Sequence, residues 1–137
     1  MNRLKTETKQ QAISAEKDEI WFEELIEWAD KNNIPEDRMP RNKPDLLALT
    51  SLNLSKNQLD NIPNSIGNLG QLSSLYLHRN NLSTLPSSIQ NLKNLSFLHL
   101  AENSLTEIPS PILKLSKLKW LYLSSNKIAS IPDAISN

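Results

Sequence analysis

Cysteine is absent from the 137 residues, which excludes disulfides and thiolate metal sites and fits a reducing compartment. Glycine is nearly absent: Gly67 and Gly70 form a GNLG run, without the Lys-Ser/Thr that a phosphate-cradling loop requires. Histidine is limited to His78 and His99, and two imidazoles without a carboxylate at matching spacing make a poor metal site. Serines are many, but none sits in a nucleophile-elbow motif. No apolar run approaches the roughly 18 residues of a membrane span. The opening stretch, MNRLKTETKQQAISAEKDE, carries Arg3 and Lys5 but no apolar segment after them, so it is not read as a signal peptide. On that reading the sequons at Asn53, Asn81 and Asn94 are chance products of a vocabulary rich in Asn, Leu and Ser. Neither sign of charge prevails. Residues 1–48 carry 8 Lys/Arg against 11 Asp/Glu (8 − 11 = −3), and residues 49–137 carry 7 against 4 (7 − 4 = +3). Such a mild dipole falls far short of the dense basic face that nucleic acid requires.

What the chain does have is a period of 23 residues. Leu54, Leu77, Leu100 and Leu123 keep it, as do Asn57, Asn80, Asn103 and Asn126, and Pro63, Pro86, Pro109 and Pro132. Three registers held over four copies specify a solenoid, each copy being one supersecondary unit stacked on the next. The copies run 49–71, 72–94, 95–117 and 118–137, the last cut short. Within a copy, two leucines separated by one residue point to the same face of a strand, so Leu52 and Leu54 turn inward and Asn53 outward. Apolar residues then follow at 59, 62, 66 and 69, a helical or 3₁₀ spacing that Pro63 starts or kinks. Asn57 and its equivalents stand at the bend after the strand, where an amide can serve backbone donors and acceptors left without strand partners.

The pattern LxxLxLxxNxLxx(I/L)PxxIxx(L)xx resembles the leucine-rich repeat family, in its 23-residue subtype with an LPxxIxxL second half, and the resemblance covers 49–137. It implies an α/β fold: a right-handed solenoid with a concave parallel sheet, short helical or 3₁₀ convex segments, and the asparagines in a structural ladder. Family members outside cells often carry Cys-rich caps, which this chain lacks.

Residues 1–48 read as an N-terminal helical cap with a degenerate half-repeat, preceded by a polar, frayed stretch at 1–12. Residues 17–31, KDEIWFEELIEWADK, place Trp21, Leu25 and Trp28 at i, i+4 and i+7, with Phe22, Ile26 and Ala29 beside them. Two tryptophans on a helix call for a cover, and the open end of the first repeat supplies it; both are expected to be largely buried. The other reading is an amphipathic helix that binds a partner. The half-repeat, 39–48, is in frame: Met39, Pro40 and Leu46 lie 23 residues before Ile62, Pro63 and Leu69. Pro35, Pro40 and Pro44 make the joint stiff and extended.

Function is expected on the variable positions of the concave strands. One column reads Ser51, Ser74, Phe97, Trp120 and the next Asn53, Tyr76, His99, Tyr122. Two further columns read Ser55, His78, Ala101, Ser124 and Lys56, Arg79, Glu102, Ser125. The first copy is bland, and the aromatics gather in the other three. Exposed aromatics near an arginine have the composition of interface hot spots. The competing reading is that the rings merely pack on one another and stiffen the sheet.

These readings favour a non-catalytic, cytoplasmic protein-interaction module of bacterial type, without cofactor or metal. It would bind a protein partner through Tyr76, His78, Arg79, Phe97, His99, Glu102, Trp120 and Tyr122. The alternatives are a bacterial effector exported without a signal peptide to bind a host protein, or the recognition segment of a larger protein. Nothing resembling a cap follows Ile135, so the strand around Leu121 and Leu123 is expected to be an open edge through which the chain could self-associate.

Overall fold

The computed structural model describes residues 19–129. Four three-residue strands, β1 (Ser51–Asn53), β2 (Ser74–Tyr76), β3 (Phe97–His99) and β4 (Trp120–Tyr122), form one parallel sheet in the order β1-β2-β3-β4. The register advances by one repeat per strand without slippage: Ser51 pairs with Ser74, Ser74 with Phe97, and Phe97 with Trp120. Leu52, Leu54, Leu75, Leu77, Leu98 and Leu100 are fully buried, while the residue between each pair lies on the open face. This is the solenoid that the period predicts, with the parallel sheet that the repeat resemblance implies.

Each strand is short because the chain turns at once. Lys56, Arg79, Glu102 and Ser125, at one repeat position, all take the left-handed conformation with φ of 56 to 58°. The return legs are 3₁₀ segments at Asn64–Asn68, Ser87–Asn91 and Ser110–Lys114. Each begins directly after a proline, whose carbonyl accepts from the isoleucine three residues on: Ile66 to Pro63, Ile89 to Pro86 and Ile112 to Pro109, all at 3.1 Å. The prolines therefore start these segments rather than kink them; their missing N–H falls where no partner is needed. Adjacent return legs pack closely. A Cβ on Gly67 would lie 2.7 Å from the Ser88 carbonyl, whereas Gly70 has open space around it.

The asparagine ladder is present, and it is directional. The Asn103 side chain accepts from Leu82 N and donates to Leu77 O and Leu100 O, so it joins its own repeat to the one before. Asn80 does the same with Leu59 N, Leu54 O and Leu77 O, and Asn126 with Leu105 N, Leu100 O and Leu123 O. Asn57, the first rung, has no preceding repeat, and its Nδ2 is buried without a partner. Asn103→Ala is expected to cost roughly 1–3 kcal/mol, since it orphans the Leu82 amide in the core, while the Leu77 and Leu100 carbonyls keep Asn80 and Asn126 as donors. Asn57→Ala should cost clearly less. Urea denaturation of the two variants checks the order.

The front of the chain closes the solenoid. Helix α1 spans 19–31 within the described residues and buries Leu25, Trp28 and Ala29 in the same core as Ile34, Met39 and Leu46. It stops at Asn33, which is left-handed with φ 57°; Ile34 N bonds Ala29 O at 3.0 Å and Asn33 N bonds Asp30 O at 3.2 Å, a Schellman termination. The two tryptophans differ in degree. Trp21 packs against the core but is half-buried, lying at the helix edge with its ring against Phe22 and the Lys43 amine 5.8 Å from its centroid. Trp28 is buried. Arg41 clamps the joint, donating to Asp30, to Met39 O and to Ile34 O. Arg38 donates to Ser55 O at 2.9 Å and so ties the cap to the first repeat. The half-repeat forms helix α2 (Lys43–Leu47), with Asn42 as its side-chain cap. The far-edge reading rests partly on residues 130–137, and the frayed stretch on 1–12; both lie outside the described residues.

Candidate partner-binding face

The register places the variable columns side by side. Tyr76, His99 and Tyr122 share one row across β2, β3 and β4, and Phe97 and Trp120 share another. Within the first row His99 and Tyr122 lie 5.1 Å apart between centroids, and the rings reach diagonally as well, Tyr76 to Phe97 at 5.0 Å and Phe97 to Tyr122 at 5.5 Å. His78 and His99, from different columns of adjacent repeats, stack at 4.1 Å with 29° between planes. Such contacts stabilise by about 0.5–1.5 kcal/mol each, so ring packing on the sheet is part of what these residues do. It does not account for Trp120. That indole enters no ring contact among the described residues and is 52% exposed; Tyr122 is 46% exposed.

Arg79 and Glu102 stand at equivalent left-handed positions of adjacent turns, and Arg79 Nε donates to Glu102 Oε2 at 2.7 Å. Both side chains are about half exposed, so the pair contributes at most about 1 kcal/mol. Its value is geometric: it holds both heads at one rim of the face. With Lys56, His78, His99 and Ala101 they line an open recess of about 330 Å³. Column alignment brings these residues into register, but the recess arises from the histidine stack, which the period does not specify. Among the described residues, no three His, Cys, Asp or Glu side chains converge as a metal site. Glu102 does stand beside both imidazoles, engaged by Arg79.

Both histidines are pushed below the usual imidazole range. For His78 the causes are burial, then His99, Arg79 and Lys56, opposed by Glu102. For His99 burial lowers and Glu102 raises. The local bonding agrees. His78 Nδ1 is buried without a partner, so protonating it would bury an unpaired N–H. His99 Nδ1 accepts from Ala101 N at 3.4 Å, which places the neutral ring's proton on Nε2. A folded-state pKa below the unfolded value means that the unfolded chain binds protons more readily. The stability that these rings contribute is therefore complete above about pH 6.5 and is lost as pH falls through that value toward the folded pKa. The urea midpoint is expected to be lower at pH 5.5 than at pH 7.5, and the difference should shrink in a His78→Gln/His99→Gln variant.

The fold and this face define a leucine-rich repeat solenoid. The family described as leucine-rich repeat region matches residues 52–137, and the chain belongs to the leucine-rich repeat family. Among solved structures, a leucine-rich repeat protein of Leptospira interrogans is 44% identical over 66% of this chain and 23% of its own, with a TM-score of 0.63. Internalin C2 of Listeria monocytogenes is 30% identical over 62% of this chain and 36% of its own, with a TM-score of 0.56. The chain thus spans about a quarter to a third of the length of these two proteins. No curated protein matches it.

Proposed function

We propose that the chain is a non-catalytic protein-binding module and that the concave sheet is its binding surface. The observation that carries this reading is Trp120, a large aromatic side chain on the open face that is half exposed and packs on no other ring. A residue of that kind costs solubility and contributes no core, which makes sense where a partner covers it. Membership of the repeat family supports an interaction role, and similarity to two bacterial proteins supports a bacterial setting.

Immobilised chain and a Trp120→Ala/Tyr122→Ala variant, presented in parallel to the same cell extract, test the reading. A protein retained by the first and lost from the second supports it. Retention that survives the double replacement, or that is abolished by Lys93→Ala/Lys114→Ala outside the concave strands, defeats it.

A further inference from the structure

The charged side chains on the four strands and at the left-handed turns just after them are Lys56, Arg79 and Glu102. Two cations stand against one carboxylate, 2 − 1 = +1, on a chain whose 15 basic and 15 acidic side chains cancel. That carboxylate is already engaged, since Glu102 Oε2 accepts from Arg79 Nε. Arg79 spends only Nε on it; its two terminal nitrogens make no hydrogen bond among the described residues. Lys56 likewise enters no ion pair among the described residues.

These groups border the recess. A carboxylate of an aspartate or glutamate is small against its volume of about 330 Å³. Inside, it would meet the outer nitrogens of Arg79 and the ammonium of Lys56. It would also meet the Nε2–H of His99, a donor fixed by the acceptance at Nδ1. Arg and Lys are the donors that suit a carboxylate, Arg in a planar fork. On the other side of the histidine stack lie Tyr76, Phe97 and Tyr122, tilted against one another at 43° and 49° with the unpacked Trp120 beyond. A cationic pocket thus stands beside an apolar shelf on a single sheet.

We propose that the concave face receives an acidic, extended segment of a protein partner, one carboxylate entering the recess among Lys56, Arg79 and His99 while an apolar side chain lies on Tyr76, Phe97 and Tyr122. The proposal rests on the concave face being the binding surface and adds the chemistry of what binds there. Glu102 provides an unusual check. If the recess takes a carboxylate, Glu102 competes with it for Arg79, and neutralising Glu102 strengthens binding. A face that acted through shape alone would be indifferent to that change or weakened by it.

The probe is a random peptide library displayed on phage and selected on the intact chain, and in parallel on the Trp120→Ala/Tyr122→Ala variant. Enriched peptides are then synthesised and their affinities measured by fluorescence anisotropy. The expected peptides carry an excess of Asp and Glu beside an apolar or aromatic residue and are not recovered on the variant. Their binding should weaken about tenfold between 50 and 300 mM NaCl. Lys56→Asn, which removes the charge while suiting the left-handed turn, should weaken it roughly threefold to tenfold, and Glu102→Gln should tighten it roughly twofold to fivefold. Peptides recovered equally on the aromatic variant would sink the concave reading itself. Peptides that need the aromatics but show no acidic excess would sink only this inference, as would a Glu102→Gln variant that binds no more tightly. A library yielding no enriched peptide, or an oligo-dT strand that binds while acidic peptides do not, also overturns it.

Discussion

Removing residues 1–38 is expected to abolish cooperative folding. The deletion takes away Leu25, Trp28, Ala29 and Ile34, all buried in the core that runs on through Leu52, Leu54 and Leu59. Three of them are large apolar side chains, each contributing about 1.5–3 kcal/mol by burial. Together they approach the whole net stability of a domain this size, roughly 5–15 kcal/mol. The deletion also removes Arg38 from the Ser55 carbonyl and Asp30 from Arg41. In a stacked array each repeat is stabilised by its neighbours, so an uncovered first repeat starts a loss that travels inward. The truncated chain should aggregate or melt without a sharp transition in urea. A soluble, monomeric, cooperatively unfolding 39–137 fragment would show that the front helix serves another purpose, a partner-binding helix among them. Leu25→Ala grades the same effect and should cost about 2–5 kcal/mol.

The second large effect concerns binding. Trp120→Ala should weaken partner binding more than about tenfold while leaving the urea midpoint within error of the parent. The separation is expected because the indole faces away from the leucine core and touches no other ring among the described residues. Tyr122→Ala should weaken binding by a similar factor and also cost about 1 kcal/mol of stability, since that ring contacts both Phe97 and His99. Thr50→Ala, just before β1, and Ser51→Ala, at its start, should change neither quantity. An unchanged affinity in the Trp120→Ala/Tyr122→Ala variant would remove the basis for assigning this face.

The backbone of the array was legible because three independent residue types repeat in phase. Leucine marks the inward face, proline the start of the return leg, and asparagine the bend, and each has a physical reason to stand there. What escaped is what depends on the reach of individual side chains. The orphaned amide of Asn57 follows from the lack of a repeat before it, which a pattern of equivalent asparagines hides. Trp21 obeys the same helical spacing as Trp28 but lies at the rim of the apolar stripe, and spacing alone does not locate a rim. Arg41 reads as an ordinary charge in a polar joint, yet its guanidinium gathers two carbonyls and a carboxylate. The eight face residues were legible as columns, whereas the histidine stack and the recess that it shapes depend on rotamers.

The ladder asparagines have one more consequence. Each of the last three reaches only one repeat back, to the carbonyls and amide at the same relative positions. The junction between neighbours is therefore the same chemistry wherever it falls, and the array behaves as a set of interchangeable cassettes. Splicing in a second copy of residues 72–94 would present its asparagine with the same partners and carry one more tyrosine, histidine and arginine onto the open face. Changes in repeat number, whether by recombination in a genome or by design at the bench, would thus lengthen the surface on offer without requiring a new solution for the interior.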